Sequence, residues 1–320
     1  MTNYDVLVVG GGAAGLSAAL VLGRARRRVL VVDAGHPRNA PAAHMHGYLS
    51  RDGMAPGDFL AAGRTEVRGY GGEIADDTVV SIGAGFRARL ASGRTVGARA
   101  VLVTTGLVDE LPDVDGLADR WGRDVLHCPY CHGHEVRDRP LGVLASSPMA
   151  VHQALMVRQW SDDVTLFLHR AGELPDEDRE RLAARNVQVV AGEVAGLVVD
   201  GDRLTGVRLA SGAVVAREAL FVGGGLRAAD GALAALGART ESGPFGSWVA
   251  VDATGRTSVD GVWAAGNVVE PMAQVILAAA AGSRAAADIN GALITAETDA
   301  AVQEARRWRT GRSAGTPVSS

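Results

Sequence analysis

The chain has no lysine; all 32 of its basic residues are arginine. That excludes Schiff-base chemistry and a Walker-type phosphate lysine, since both need an amine. There are only two cysteines, Cys128 and Cys131. A pair so close in sequence can staple almost nothing, because a disulfide's stabilisation grows with the loop it closes. No apolar run approaches the roughly 20 residues of a membrane span; the longest late stretch is "VILAAAAG" at 275–282. The opening "MTNYDVLVVGGG" has no basic segment leading into an apolar one, so no secretory leader is expected. Nor is there an excess of positive charge. A net charge of -4 and a pI near 6.1 point to neither nucleic acid nor an anionic membrane as a partner. A cytoplasmic protein is expected, and in a reducing cytosol a CxxC pair is more often catalytic or metal-binding than structural.

What is present begins with length and pattern. With 320 residues, 47% of them hydrophobic and 21% charged, the chain has material for about two globular domains. "YDVLVV" (4–9) fits a buried parallel strand. It runs into Gly10-Gly11-Gly12-Ala13-Ala14-Gly15, a helical stretch, a second strand from Val29 and then Asp33 with Ala34. This is G-x-G-x-x-G in its working context of strand, turn, helix, strand and acid. Gly10 permits the turn, Gly12 lets backbone approach a pyrophosphate, and Gly15 lets the helix lie close to the strand. The helix N-terminus offers free N–H groups to the phosphate. Asp33, 18 residues after Gly15, stands where a carboxylate takes ribose hydroxyls.

The far end of the chain separates FAD from NAD. "TSVDGVWAAGNVVEPMAQVILAAAAG" (257–282) resembles the closing FAD motif of flavoproteins with two dinucleotide domains, with Gly266, then Asn267 where that motif has Asp, and a helix starting near Gln274. Asn keeps hydrogen-bonding capacity but carries no charge. "AVLVTTGLVDELP" (100–112) resembles the strand and turn, here Thr105-Gly106, that returns to FAD. Alternating segments at 77–83, 86–91 and 94–99 predict a β-meander over one face of the domain.

A second βαβ unit repeats the first. "LGVLASSPMAVHQALMVRQW" reads as strand, turn and helix, and "DVTLFLHR" as the next strand, but Ala145, Ser147 and Ala150 stand where the first unit has Gly10, Gly12 and Gly15. Pro148 removes a further N–H donor. Losing two charge-assisted hydrogen bonds to a pyrophosphate costs ~3–6 kcal/mol, roughly 10²- to 10⁴-fold in affinity. The following strand ends His169-Arg170, not in paired arginines for a 2′-phosphate. This unit is therefore expected to bind no nicotinamide nucleotide usefully. Gly/Pro/Asp-rich "LPDVDGL" (111–117) and "ESGPFGSW" (241–248) read as linkers. The expected organisation is α/β, with two Rossmann-like dinucleotide-binding domains. A split FAD domain (1–113 and 242–320) encloses a degenerate NADPH-type domain (114–241), and "RTGRSAGTPVSS" forms a disordered C-terminal tail.

The cysteines lie in "HCPYCHGHE" (127–135). Structural zinc needs four ligands, and with one CxxC only His132 and His134 are near, so no metal is expected. A redox pair fits better: Pro129 suits the first turn of a helix, whose N-terminus lowers a thiol pKa. FAD motif, insertion, CxxC and closing motif follow the order of low-molecular-weight thioredoxin reductases over nearly the whole chain. "CPYCHG" with the damaged second cradle resembles the dithiol oxidases of gliotoxin-, holomycin- and romidepsin-type pathways, the holomycin type above all. That resemblance implies a cytoplasmic homodimeric flavoprotein that oxidises a small-molecule dithiol to a disulfide and passes the electrons through FAD to O₂, releasing H₂O₂. It also implies that Cys131 faces the flavin and Cys128 exchanges with substrate. His132, where the reductases carry Asp, becomes the general base, and His134 the second candidate. In "DAGHPRNAPAAHMHG" (33–47) it makes Arg38 and Asn39 pyrophosphate or flavin contacts, and His46 a flavin-side residue. The competing readings are a disulfide reductase fed by NADPH or ferredoxin, and a flavin-bound redox sensor.

Overall fold

The computed structural model describes residues 2–243 and 246–313. Its first third consists of β1 (Thr2–Val9), α1 (Ala13–Arg24), β2 (Val29–Asp33), α2 (Pro56–Gly69), β3 (Glu73–Asp76), β4 (Val79–Gly83), β5 (Arg87–Leu90) and β6 (Thr95–Val103). β1 pairs in parallel with β2 and β6, and β2 with β3. The two faces of β1 and β2 are both apolar, as a strand covered on both sides requires. Leu7, Val9, Leu30 and Val32 face a core completed by Ile82, Ala88, Leu90 and Val96, so the meander does cover one face. Its strands reach that position by pairing antiparallel with the first residues of β6. Val6, Val8, Val29 and Val31 face the other way, onto helices.

The chain then leaves through β7 (Leu107–Glu110) and builds a second unit. This contains β8 (Val125–Leu126), α3 (Pro129–His132), β9 (Leu141–Leu144), α4 (Ala150–Val157), β10 (Val164–Phe167), α5 (Asp176–Ala184) and β11 (Gln188–Val190). It continues with β12 (Val194–Asp200), β13 (Arg203–Leu209), β14 (Val214–Ala216) and β15 (Ala219–Val222). A parallel sheet in the order β11-β10-β9-β15-β8 has fully buried central strands. α4 and α5 cover one face, and the antiparallel ribbon β12-β13-β14 covers the other.

The chain returns through β16 (Gly225–Ala228), antiparallel to β7. There follow α6 (Gly231–Ala235), β17 (Thr240–Gly243), β18 (Gly246–Val249), β19 (Val262–Ala264) and α7 (Val275–Ser313). β19 joins the first sheet beside the C-terminal end of β6. Three sequence expectations need correction here. Ala228 and Leu233 pack into the first core, so the return occurs near residue 225 and not at 242. Within the predicted linker 241–248, residues 241–243 and 246–248 instead belong to the antiparallel strands β17 and β18, and Trp248 is buried in that same core; residues 244 and 245 lie outside the described residues. The predicted tail begins inside α7, because the Ala/Glu/Arg-rich stretch before it propagates the helix to Ser313; residues 314–320 lie outside the described residues.

α1 and α7 pack against each other over the buried face of the first sheet. Gly282 makes this possible, since a Cβ there would overlap the carbonyl oxygen of Ala14. Gly282→Val is expected to push the two helices apart and destabilise the fold by about 1–3 kcal/mol. The same change at Gly291, where a Cβ meets nothing within 4 Å, serves as control. Urea unfolding of the two variants checks the difference.

Candidate active site

A cleft of about 400 Å³ runs between the C-terminal ends of β1, β2 and β6 and the start of α3. At one end is the glycine turn. Gly10 has φ +106°, where a Cβ would come within 2.6 Å of the Thr104 carbonyl oxygen. At Gly15 a Cβ would overlap the Gly10 carbonyl oxygen and lie 2.7 Å from Thr104 Oγ1. Gly12 differs from both, because a Cβ there meets nothing within 4 Å. Gly12 is also the cap of α1, with no side-chain cap and no acid in the first turn. Open backbone facing free helix N–H groups is an arrangement that suits a pyrophosphate. Asp33 ends β2 beside Gly11 and pairs with Arg64. The residues present therefore fit a dinucleotide.

The opposite wall comes from the end of the chain. Gly266, at φ +79°, and Asn267 both line the cleft. Asn267 Nδ2 lies 3.1, 3.1 and 2.9 Å from the carbonyl oxygens of Glu270, Pro271 and Ala273. A carboxylate could not donate to this cluster, which gives a physical reason for Asn in place of Asp. The amide nitrogen organises the approach to α7, and Oδ1 is the atom left over. Gln274, immediately before α7, places Nε2 4.0 Å from Cys131 Sγ.

Cys128 and Cys131 are joined as a disulfide with Cα atoms 5.3 Å apart, within the usual span. Cys128 stands at the cap position of the four-residue α3, and Pro129 occupies its first turn. Both cysteines and His132 line the same cleft as the glycine turn. Burial, the largest effect, pushes the His132 pKa below its ordinary value, against a smaller opposing pull from Glu135. Its imidazole is neutral at neutral pH and can accept a proton. His134 is exposed and lies outside the cleft lining. Its carbonyl accepts a hydrogen bond from Arg137.

Of the other predicted residues, Ala13, Ala14, Ala34, Arg38, Asn39, His46, Thr105 and Gly106 all line the cleft, while Gly15 lies beneath the turn. Arg38 is not free for a phosphate. Its fork is bidentate on Asp109, at 2.7 and 2.6 Å. His46 lies between Asp52 (3.3 Å) and Glu135 (3.5 Å), linking the early loop to the segment after α3. Thr105 Oγ1 donates to the Ala229 carbonyl at 2.6 Å.

Among the lining residues that the sequence reading did not single out are Asp109, Trp121 and His127. His127 Nδ1 donates to the Val222 carbonyl at 3.2 Å. Burial first, and the Arg38 charge second, hold its pKa below the ordinary value. A histidine directly before a CxxC was the available signal.

The second glycine-turn position is filled from within. Ser146 Oγ lies 3.3 Å from the Leu144 carbonyl and 3.2 Å from that of Gly223. Ser147 Oγ approaches Gly223 so closely that a Cβ there would lie 2.8 Å from it. Where a 2′-phosphate would be read, His169 Nδ1 accepts the Val194 N–H at 3.1 Å and Arg170 is paired with Glu193.

A family model described as pyridine nucleotide-disulphide oxidoreductase matches residues 4–284. The chain belongs to this family. It is accordingly an FAD-binding oxidoreductase with a thioredoxin reductase-like α/β fold. Among its relatives, a protein named thioredoxin reductase sirT, from Leptosphaeria maculans, is 32% identical, with 90% of this chain and 93% of that one covered. Thioredoxin reductase tcpT, from Claviceps purpurea, is 33% identical over 82% of this chain and 86% of its own. The crystal structure of HlmI superposes with a TM-score of 0.91 at 53% identity, covering 96% of this chain and 98% of that one.

Proposed function

We propose that this family member is a dithiol oxidase: it closes an intramolecular disulfide in a small-molecule dithiol and delivers the electrons to O₂ as H₂O₂. The observation that carries the reading is the contrast between the two cradles. The first is open and shares its cleft with the Cys128–Cys131 disulfide. The second is filled by Ser146 and Ser147, and its phosphate-reading positions are already paired. Electrons therefore enter from a thiol and not from a nicotinamide. The resemblance of "CPYCHG" and the damaged second cradle to natural-product dithiol oxidases supports the same reading.

The residues divide the work as follows. His132 takes the proton of the first substrate thiol as its sulfur attacks Cys128 Sγ. The Cys128–Cys131 bond breaks, and Cys131 leaves as a thiolate. The second substrate thiol attacks the substrate sulfur of the mixed disulfide, releasing Cys128 and the cyclic product. The protein dithiol now holds the electron pair, with Cys131 next to Gln274 at the start of α7. When bound, FAD supplies the two-electron acceptor for that pair and the centre that reacts with O₂. The turn at Gly10–Gly15 and the start of α1 would hold its pyrophosphate, and Asp33 its ribose. His46 and Asn267 belong to the flavin-side wall. A cytoplasmic homodimer completes the proposal.

The test uses the yellow holoprotein with dithiothreitol in air, following flavin bleaching and H₂O₂, and a parallel anaerobic sample with NADPH alone. Bleaching by dithiol, recovery in air with H₂O₂, and no response to NADPH are expected. Rapid stoichiometric bleaching by NADPH would replace this reading with a disulfide reductase, the activity named in sirT and tcpT.

A further inference from the structure

α4 begins where the second cradle would hold a pyrophosphate, yet one of its side chains points toward the dithiol. Gln153 Nε2 donates to the carbonyl oxygen of His127, the residue before Cys128, at 2.9 Å. Only the amide nitrogen can face a carbonyl, so the orientation of the side chain is fixed. Gln153 Oε1 is buried and has no hydrogen-bond partner among the described residues. It lies beside Gly223, 3.5 Å from where a Cβ would be. A buried amide that leaves its oxygen unpaired is costly, so an apolar side chain would fill this place at lower cost unless the donor has a use.

The same stretch is held a second time, because the His127 ring donates to Val222 at the end of β15. The backbone entering the CxxC is thus fixed from α4 and from β15. These are the helix of the degenerate βαβ unit and the strand beside β9. α3, with four residues, has little stability of its own to hold Cys128 in place.

We propose that Gln153 is a positioning residue for the redox dithiol, and that the former nucleotide cradle now clamps the Cys128 segment. Its hydrogen bond fixes the His127–Cys128 peptide so that Cys128 Sγ presents the line of attack to an incoming thiol. This role goes beyond the functional proposal and holds whichever way electrons flow through the disulfide.

The test measures how fast dithiothreitol reduces Cys128–Cys131 in the anaerobic holoprotein, by acid quench, alkylation and mass. Gln153→Leu keeps the volume and removes the donor. It is expected to slow reduction about tenfold or more, with flavin content retained. Gln153→Glu supplies the discriminating measurement. Near pH 8 its carboxylate repels the His127 carbonyl, whereas near pH 5.5 the protonated carboxyl, its pKa raised by burial, donates as the amide does. Its rate relative to the unmodified protein at the same pH should therefore recover as the pH falls.

The titratable group facing this position is His127, with Arg38 and Asp109 acting on it. α4 and β15 contribute only His152, which is exposed. Comparison at equal pH removes the titration of His127, which both proteins share. Reduction of Gln153→Leu at the unmodified rate would overturn the proposal, as would a Gln153→Glu deficit that does not change with pH. If Gln153→Leu does not fold, the pH ratio of Gln153→Glu decides alone. Failure of the functional proposal shows separately, in the NADPH and H₂O₂ measurements on the unmodified protein.

Discussion

Cys128→Ser is expected to lower dithiol-driven flavin reduction by on the order of 10⁴-fold or more, while dithionite still bleaches the flavin at the normal rate. Serine matches cysteine in shape but cannot form or exchange a disulfide, so the only thiol route into the cleft closes. Dithionite reduces flavin directly and reports that it is still bound. Cys131→Ser should be equally dead to dithiols, yet the two variants differ in which sulfur remains. The proposed roles place Cys128 toward substrate, so in Cys131→Ser the remaining thiol should be alkylated quickly by iodoacetamide. In Cys128→Ser, Cys131, which lies beside Gln274 and is proposed to face the flavin, should react slowly. The reverse order of alkylation would exchange the two roles.

His132→Gln is expected to slow the same reaction about 10²-fold or more near neutral pH. The pH profile carries the mechanism. A base must be neutral to accept a proton, and burial lowers the His132 pKa below its ordinary value of about 6.5. In the unmodified protein the rate should therefore hold through neutrality and fall only as pH drops below that value. Glu135, His46 and His127 are the titratable groups that act on His132. In His132→Gln the substrate thiol must ionise unaided, so the rate should climb toward alkaline pH and the gap to the unmodified protein should close. A gap that stays constant from pH 6 to about pH 9.5 would remove His132 as the base. His134→Gln should be nearly silent by comparison, because that side chain lies outside the cleft lining.

The parts that were legible in the sequence are those in which a single backbone or chemical requirement falls within a few neighbouring residues. The Gly10–Gly15 turn, the Asp33 position, the approach to α7 and the CxxC each announce themselves locally. What stayed hidden depends on pairs far apart in the chain. Arg38 reads as a free phosphate ligand until the fold brings Asp109 onto its fork. Asn267 reads as a weakened Asp until three carbonyl groups are seen around its amide nitrogen. Gly282 gives no local sign of its role, and only the crossing with α1 shows why no side chain fits there. The stretch 241–248 looks like a linker because it is rich in Gly and Pro, yet Trp248 finds a core to enter.

The pairing of β7 with β16 puts the exit from the first sheet and the return to it side by side, with Glu110 opposite Gly225. Residues 111–224 thus hang from the two ends of a single hairpin, and β19 reaches β6 without passing through them. Topologically the dithiol-bearing module is a cassette. A two-residue turn joining Glu110 to Gly225 would close the ribbon and leave every strand neighbour of the first sheet in place. The dithiol-bearing module could therefore be exchanged, by recombination or by design, without altering the sheet beneath the cleft.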